Sequence, residues 1–346
     1  MTIYFDNAAT TKVFPEVMSV MEDAMNVSYG NPSAKHRKGM EAENLIKEAQ
    51  ETIAKSLKAK PKEIFVTSGG TESNNTAIIG TALANKRKGK HIITSRIEHA
   101  SVYEPMAFLE DLGFEITYLN VDSKGQILLE ELETAIRPDT ILVSLMFVNN
   151  EIGAVQPIKE AGEIIKKKNK DTVFHVDAIQ AYGKLPIVPK NLKIDLLSLS
   201  GHKIHGPKGV GFLYVREGTK IQPLIYGGGQ QKGMRSGTEN VPGIAGLGCA
   251  CRQMIGDHFE NAEKIRTVKE YFQERIKEIE DIRDNSGEAP HIASISFRGI
   301  RSEVLLHALE DKEIYVSSGS ACSSNKKQAV SGTLNAIGLP DDYKDG

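Results

Sequence analysis

The stretch LLSLSGHKIHGPKGVGFLYV, residues 196–215, holds two apolar runs on either side of a polar turn. Short runs rich in leucine, valine and aromatic residues, bounded by turn signals, are typical of buried β-strands. Ser200, Gly201, His202 and Lys203 follow the first run, and the glycine–proline turn HGPKG leads directly into the second. We therefore expect a lysine locked between two neighbouring strands of a sheet, with a hydroxyl and an imidazole beside it.

Similar apolar runs occur upstream and alternate with longer amphipathic segments. The strand candidates are residues 63–68, 91–95, 114–121, 140–148, 172–177, 194–200 and 209–215. This alternation predicts an α/β fold with a mostly parallel seven-stranded sheet flanked by helices. Ligands of such sheets bind in the loops beyond the carboxyl ends of the strands, so a site is expected there.

The pattern changes after about Gly243. A long helical stretch, residues 241–284, is rich in Glu, Lys and Leu. It leads to two short strands, residues 292–299 and 313–319, around the helix of residues 302–311. This arrangement predicts a smaller α+β domain.

The N-terminal segment joins this smaller domain in our division of the chain. Two predicted helices, residues 13–25 and 36–57, precede the first strand of the sheet. The large domain is assigned to residues 15–250, and the small domain to residues 1–14 together with 251–346.

The overall composition excludes several classes of protein. Apolar residues make up 40% and charged residues 25% of the chain, which excludes disordered and fibrous proteins. The net charge of -2 gives no indication of binding to nucleic acid or to an anionic membrane. The sequence shows no signal peptide, no apolar run of membrane-spanning length and no disulfide framework among its three cysteines. A location in the reducing cytoplasm is expected.

Two loops at predicted strand ends hold candidate site residues, each with a structural alternative. TSGGTESNN, residues 67–75, places Gly70 and Thr71 between a strand and a helix, where backbone amides suit a phosphate group. Glycines also occur in such turns merely to bend the chain. In RIEHAS, His99 stands between a strand and a helix, where it is either a catalytic residue or a helix cap.

The predicted strand FHVD ends in Asp177, and Gln180 follows three residues later. A carboxylate there acts either as a helix N-cap or as the counter-ion of a protonated heterocycle. Lys203 is a candidate for a Schiff base, because desolvation and neighbouring positive charge favour a neutral amine. Lysine, aspartate and a phosphate cradle together match what pyridoxal phosphate requires of a protein.

Cys322 stands in SSGSACSSNKKQ, residues 317–328, whose small polar residues predict an exposed, mobile loop. An exposed thiol is a liability unless it is used, so Cys322 is a candidate nucleophile. Cys249 and Cys251 are interpreted as small core or interface residues, because no further Cys or His cluster completes a metal site. No resident metal is expected.

Nine motifs in order cover essentially the whole chain: YFDNAATT, YGNPSAKH, TSGGTESNN, EHAS, VNNEIGAVQP, HVDAIQAYGK, SGHKIHGPKG, GGGQQKGMRSGTENVPG and SSGSACSS. Together they resemble the cysteine desulfurases of the class V aminotransferase group, in the subgroup of the nitrogen-fixation and general iron–sulfur assembly enzymes. The resemblance implies fold type I of the pyridoxal-phosphate transferases.

The resemblance also implies roles for individual residues. Lys203 would bind pyridoxal 5'-phosphate covalently and move protons at the substrate carbon. Asp177 would pair with the pyridinium nitrogen, and His99 would stack on the ring. The further cofactor contacts would be Gly70, Thr71, Asn150, Gln180, Ser200, Gly201, His202 and Thr238, and the substrate contacts would be Asn7 and Asn150. Thr238 would reach the phosphate of a neighbouring subunit, which implies a homodimer with shared sites.

The implied activity is the conversion of L-cysteine to L-alanine. Cys322 would take the sulfur as a persulfide and deliver it to an acceptor protein, such as an iron–sulfur scaffold or a tRNA-thiolation enzyme. The persulfide would also serve as a transient ligand of an iron–sulfur cluster. A selenocysteine lyase and a catalytically weakened scaffold of the same family stay open as alternatives.

Family members continue into a further strand with an arginine that clamps the substrate carboxylate. This chain ends at LPDDYKDG, and no arginine in it is assigned to that role. The resemblance therefore predicts a truncated small domain that binds pyridoxal phosphate but turns over cysteine poorly compared with an extended form.

Overall fold

The computed structural model describes residues 2–256, 258–318 and 331–346. Its strands are β1 (Ile3–Tyr4), β2 (Ile64–Thr67), β3 (His91–Ser95), β4 (Glu115–Leu119), β5 (Thr140–Met146), β6 (Val173–Asp177), β7 (Leu196–Ser200), β8 (Gly211–Val215), β9 (Ile282–Asp284), β10 (Ile295–Phe297) and β11 (Ile314–Tyr315). Its α-helices are α1 (Pro15–Asn26), α2 (Arg37–Ser56), α3 (Gly70–Asn85), α4 (Ala100–Asp111), α5 (Leu129–Ala135), α6 (Ile158–Lys168), α7 (Val241–Gly256), α8 (His258–Ile276), α9 (Ser302–Glu310) and α10 (Gly332–Ala336).

Among the described residues, seven strands form a central sheet in the order β2-β8-β7-β6-β5-β3-β4. The strands from β7 to β4 run parallel to one another, whereas β8 is antiparallel to both β2 and β7. The predicted α/β fold with a mostly parallel sheet is therefore confirmed. The carboxyl ends of β2, β3, β5, β6 and β7 consequently lie at one edge, where the sequence predicted a site.

The sheet is buried on both of its faces. Every residue of β3, β5, β6, β7 and β8 is buried, and neighbouring residues along a strand point to opposite faces. Leu142 and Leu196 belong to the apolar cluster beneath α3 and α4, while Val143 and Leu197 belong to the cluster beneath α2, α6 and α7. Continuous apolar runs are what a parallel sheet with both faces covered requires.

His175 is a polar residue inside this buried layer, two positions before the end of β6. Its ring nitrogens lie 2.8 Å from the Ser144 hydroxyl on β5 and 2.9 Å from the Ser198 hydroxyl on β7. Burial lowers the pKa of His175 to about 3, so the ring is neutral and donates one hydrogen bond while accepting the other. This polar link joins three central strands close to Asp177.

The first residues of the chain pair with its last third. β1 and β11 are parallel, with Ile3 opposite Ile314, and β9 and β10 form an antiparallel pair. Helices α1 and α2 pack against α7. The division into residues 15–250 and residues 1–14 with 251–346 remains a prediction.

The helical stretch predicted for residues 241–284 is wrong at its C-terminal end. Helix α8 ends at Ile276, and Ile282 already pairs with Phe297 in the β9–β10 ladder. Asp281 has a φ of 56°, a left-handed conformation that no α-helix continues through. Among the described residues, no helix is long and apolar enough to cross a membrane.

Candidate active site

Lys203 lies just beyond the carboxyl end of β7, in a short 3-10 turn formed by Gly201–Lys203. Its ammonium group donates hydrogen bonds to the carbonyl oxygens of Ala8 and Ala9, the latter at 2.8 Å. The same N-terminal segment is fixed by Thr11, whose amide and hydroxyl both donate to the carbonyl oxygen of His202, at 2.9 and 2.8 Å. The lysine is therefore held between β7 and a segment from the start of the chain.

Asp177 is the last residue of β6 and is only 5% exposed. Its Oδ2 atom accepts a hydrogen bond of 2.7 Å from the Asn74 side-chain amide, and its Oδ1 atom accepts one of 3.0 Å from the Ile179 amide. Burial raises the pKa of Asp177, while nearby His99 and Lys203 oppose that rise. The carboxylate thus bonds an amide two residues on, as Asp does in a turn, and it lies close to two potential cations.

His99 caps helix α4. Its Nδ1 atom accepts a hydrogen bond of 3.1 Å from the Ser101 amide and lies 2.9 Å from the Ser101 hydroxyl. Burial lowers the pKa of His99, although the Asp177 carboxylate opposes this. Because Nδ1 is an acceptor, the neutral ring carries its proton on Nε2. The Nδ1 atom of His99 therefore caps the helix, which was one of the two alternatives for this residue. The same hydrogen bonds fix the orientation of the ring at the site.

The start of α3 packs closely on the end of β7. A β-carbon built on Gly70 would lie 2.2 Å from the Cδ1 atom of Ile179 and 3.6 Å from the Cβ atom of Ser200. Gly69 has a φ of 146°, which glycine adopts readily. The structure thus brings Gly70 and Ser200 together at the N-terminus of a 16-residue helix, where backbone amides attract an anion.

His202 lies in the 3-10 turn after β7, and Thr71 lies in the first turn of α3. The Nδ1 atom of His202 lies 3.2 Å from the Thr10 hydroxyl. Burial lowers the pKa of His202 to about 4, and the neighbouring Lys203 adds to that effect, so the ring is neutral. Thr71 is exposed and lines, with His99, an open groove of about 570 Å³ between α3 and α4.

Gln180 is buried and bridges three parts of the chain. Its amide donates a hydrogen bond of 2.9 Å to the carbonyl oxygen of Ala8, and its Oε1 atom lies 3.2 Å from the Nε2 atom of His291. Asn7 is exposed and donates to the carbonyl oxygen of Tyr4 at 3.1 Å. Asn150 is half-buried in the turn that follows β5. Ala8 therefore contacts the site from the same segment that holds Asn7.

Thr238 lines a different groove from the one at His99. It is exposed and lines a second groove, of about 340 Å³, with Tyr29, Asn31 and Pro242. The groove at His99 has none of these residues in its lining. Within the described residues, the structure therefore does not bring Thr238 into the lining of the groove at His99.

The cysteines fall into two groups. Cys322 lies outside the described residues. Cys251 is fully buried in α7, and burial raises the pKa of its thiol to about 12, which is the behaviour of an inert core residue. Cys249 is half-buried on the same helix. In the described ranges no group of His, Cys, Asp and Glu is arranged to hold a metal ion.

Four polar residues of the site were not predicted from the sequence. Asn74 bonds Asp177, Lys184 donates to the carbonyl oxygen of Lys203 at 2.9 Å, His291 contacts Gln180, and Glu98 is a second buried carboxyl. Glu98 could have been predicted as a site residue, because it immediately precedes His99 close to a strand end. The other three contact the site through partners distant in sequence.

Comparisons with known proteins identify the family of this chain. The family model described as "Aminotransferase class-V" matches residues 3–336. The chain is 47% identical to the cysteine desulfurase IscS of Dictyoglomus turgidum, covering 99% of this chain and 88% of that protein. It is also 47% identical to cysteine desulfurase IscS of Methanosarcina thermophila, covering 99% of this chain and 85% of that protein.

Two solved structures are similar over nearly the whole chain. A NifS-like protein has a TM-score of 0.94 and 40% identity, covering 100% of this chain and 92% of that chain. The structure described as SspA in complex with cysteine has a TM-score of 0.85 and 39% identity, covering 99% of this chain and 96% of that chain. This chain belongs to the class-V aminotransferase family and, within it, to the cysteine desulfurases.

Proposed function

We propose that this chain is a cytoplasmic pyridoxal-phosphate-dependent cysteine desulfurase, which converts L-cysteine to L-alanine and takes the sulfur as a persulfide on Cys322. The observation that carries the proposal is the convergence of Lys203, Asp177 and His99 at one edge of the sheet, beside the N-terminus of α3. The similarity to proteins named cysteine desulfurase, and to a structure described as a complex with cysteine, supports the same substrate.

The residues present fit pyridoxal phosphate. A buried carboxylate such as Asp177 needs a cationic partner, which a protonated pyridine nitrogen supplies. The amine of Lys203 suits the aldehyde, and the helix N-terminus with Gly70, Ser200 and His202 suits the phosphate. When bound, the cofactor supplies an electron sink for negative charge at the substrate's α-carbon.

The side chains of this protein then have separate tasks. Asp177 would hold the proton on the ring nitrogen, because its own hydrogen bonds favour the ionised form. Lys203 would bind the cofactor and move the proton at the α-carbon of cysteine. His99 would lie on the ring as a neutral imidazole, and Gln180 would contact the ring hydroxyl. Asn7 and Asn150 are proposed to contact the substrate.

Cys322 is proposed to perform the sulfur transfer. Its thiolate attacks the sulfur of the substrate, so that a sulfur–sulfur bond forms and the carbon–sulfur bond of cysteine breaks. The electron pair of the broken bond stays with the substrate carbon, which takes a proton and becomes the methyl group of alanine. L-cysteine and the enzyme thiol are thereby converted to alanine and an enzyme persulfide, and no external oxidant is needed.

The proposed assembly is a homodimer in which Thr238 of each subunit completes the phosphate site of the other. The acceptor of the persulfide sulfur is proposed to be a protein, either an iron–sulfur scaffold or a tRNA-thiolation enzyme. The persulfide of Cys322 is proposed as a transient cluster ligand on the way to such a scaffold.

Two substitutions test the proposal. Lys203→Ala should abolish the visible absorbance band of the bound cofactor, because the covalent attachment is lost. Cys322→Ser should keep that band and abolish the release of alanine and sulfide from L-cysteine. Full alanine production by Cys322→Ser would contradict the assigned nucleophile, and an unchanged band in Lys203→Ala would contradict the assigned lysine.

A further inference from the structure

Glu98 is a second buried carboxyl at the site, only 6% exposed and directly before His99. Its Oε1 atom accepts hydrogen bonds from the Ser95 hydroxyl at 2.6 Å and from the Met146 amide at 3.0 Å. Ser95 ends β3 and Met146 ends β5, and these two strands are neighbours in the sheet. The side chain therefore ties together the carboxyl ends of two strands beneath the start of α4.

The two oxygens of Glu98 have different surroundings. Both hydrogen bonds go to Oε1, and Oε2 has no hydrogen-bond partner in the part of the chain that the structure describes. Among residues 2–256, 258–318 and 331–346, the titratable groups that face Glu98 are Asp177 at the end of β6 and Tyr103 on α4, and neither supplies a positive charge. An ionised carboxylate in this position would be buried without a counter-charge, which is costly.

Asp177 provides the contrast at the same edge of the sheet. Each of its oxygens accepts a hydrogen bond, and nearby Lys203 supplies a positive charge that favours its ionised form. When two carboxyl groups have surroundings this different, their pKa values move apart, so that one group is ionised and the other is neutral. The pair therefore favours the charge on Asp177 and the proton on Glu98.

We propose that Glu98 is a neutral carboxylic acid in the folded protein and acts as a positioning residue, which fixes the strand ends beneath His99 and leaves Asp177 as the carboxylate that faces the cofactor. This inference deepens the proposed function, since it concerns the same site. Burial raises the pKa of Glu98 to about 8, and the nearby Asp177 adds to the rise. A neutral Glu98 does not compete with Asp177 for the positive charge of a bound cofactor.

The infrared difference spectrum of wild type minus Glu98→Gln, recorded at neutral pH, tests the protonation state directly. We expect the carbonyl stretch of a protonated carboxyl group in the wild type. Carboxylate bands in its place would overturn the proposal. Glu115→Gln is the matched control, because Arg137 binds both oxygens of Glu115 and lowers its pKa, so that difference spectrum should show carboxylate bands.

A second measurement does not depend on the folding of the variant. In wild-type protein labelled with ¹³C at the glutamate carboxyl carbons, one resonance should keep the shift of a protonated acid at neutral pH. The absence of any such resonance would contradict the proposal. Both spectra are independent of turnover, so a protein that shows the protonated carboxyl yet makes no alanine contradicts the proposed function and not this inference.

The positioning role has its own test in the cofactor-loaded enzyme. Glu98→Ala removes both hydrogen bonds and should lower kcat/KM about tenfold, and Glu98→Gln, which keeps a neutral acceptor, should recover most of that loss. The pH dependence of the visible band should be the same in Glu98→Gln and wild type. A loss in Glu98→Gln as large as in Glu98→Ala, together with a shifted titration of the band, would show that the charge of Glu98 is used.

Discussion

Asn74 links two functional side chains of the site, Asp177 and His99. Its side-chain amide donates hydrogen bonds to Asp177 at 2.7 Å and to the Ser101 hydroxyl at 2.9 Å. The Ser101 hydroxyl in turn lies 2.9 Å from the Nδ1 atom of His99. One buried amide on α3 therefore orients a carboxylate from β6 and an imidazole from the start of α4.

Asn74→Ala should weaken the binding of pyridoxal phosphate about tenfold to a hundredfold, because a hydrogen bond to a charged group contributes about 1.5–3 kcal/mol. The measurement is a spectroscopic titration of the cofactor-free protein. Asn85→Ala is the matched control: Asn85 is a buried asparagine of the same helix that bonds the carbonyl oxygens of Thr81 and Lys220 away from the site. Equal losses of affinity in the two variants would contradict the role of Asn74.

Glu98 should also make the stability of the protein depend on pH. The folded protein keeps the proton of Glu98 up to a pH of about 8, whereas the unfolded chain releases it near its ordinary value of 4.5. Between these values the folded state binds the extra proton, so the contribution of Glu98 to stability is lost as the pH rises, by up to about 1.4 kcal/mol per pH unit.

Urea denaturation of wild type and Glu98→Gln at several pH values across this window measures that effect. The variant carries no proton to lose, so its free energy of unfolding should rise relative to wild type as the pH increases. Contributions from groups that do not interact with Glu98 cancel in the difference. A difference that stays constant with pH would show that Glu98 is not the group that holds the proton.

At the scale of single residues, functional side chains could be predicted from the sequence where they lie at the end of a strand or just after it. Asp177 and Lys203 are such residues, and the structure places both at the carboxyl edge of the sheet. Asn74 and His291 could not be predicted in this way, because each contacts the site through a residue more than a hundred positions away in the sequence. Such pairs become visible only when the topology brings the elements together.

At the scale of elements, β8 must pass very close to the loop before α3. A β-carbon built on Gly211, the first residue of β8, would lie 2.3 Å from the carbonyl oxygen of Leu199 and 2.8 Å from the Cα atom of Gly69. These are backbone atoms of the neighbouring strand and of the loop before Gly70. The small size of Gly211 thus sets the distance between the sheet and the proposed phosphate site.

Gly211→Ala should lower the free energy of unfolding by about 1–3 kcal/mol, because the backbone around it cannot move aside without strain. The variant should also bind pyridoxal phosphate more weakly, since the displaced loop leads into Gly70. Gly332→Ala at the start of α10 is the control, because no atom of the described residues lies within 4 Å of a β-carbon built there. Urea denaturation and cofactor titration measure both effects, and a Gly211→Ala protein as stable as the control would contradict this packing argument.

The strands of the sheet were largely predictable, because buried parallel strands appear in a sequence as continuous apolar runs. Each of the seven predicted strands of the sheet is present, with ends that differ by a few residues; residues 140–148, for example, contain β5 as Thr140–Met146. The helical stretch predicted for residues 241–284 extends too far, because α8 ends at Ile276. Ile282 already pairs with Phe297 in the β9–β10 ladder, and helical periodicity alone does not reveal such a long-range pairing.

At the scale of the whole molecule, the two grooves lie on different parts of the chain. Thr71 and His99 line the groove between α3 and α4, whereas Thr238 lines the groove beside the end of α1. In the proposed twofold homodimer, the second groove of one subunit would meet the first groove of the other, and the symmetry would repeat this contact at the second site. Each proposed active site then consists of residues from both subunits.

Mixing two inactive variants tests this arrangement. Lys203→Ala subunits lack the lysine but offer an intact Thr238, and Thr238→Ala subunits lack the threonine but offer an intact Lys203. If Thr238 acts across the interface, each mixed dimer regains one complete site, and roughly a quarter of all sites in an equal mixture are complete. Alanine production from L-cysteine should therefore rise well above the mean of the two separate variants after unfolding and refolding them together.

The control for this experiment is the same mixture prepared without refolding, in which subunits do not exchange and no gain is expected. A second control pairs Lys203→Ala with Asp177→Asn, because both residues belong to the same site of one chain. In each mixed dimer, one site then lacks the lysine and the other site lacks the carboxylate. If Thr238 acted within its own chain, the first pair would behave like the second, and refolding would restore no activity in either. Recovery confined to the pair with Thr238→Ala is the result that a shared site requires.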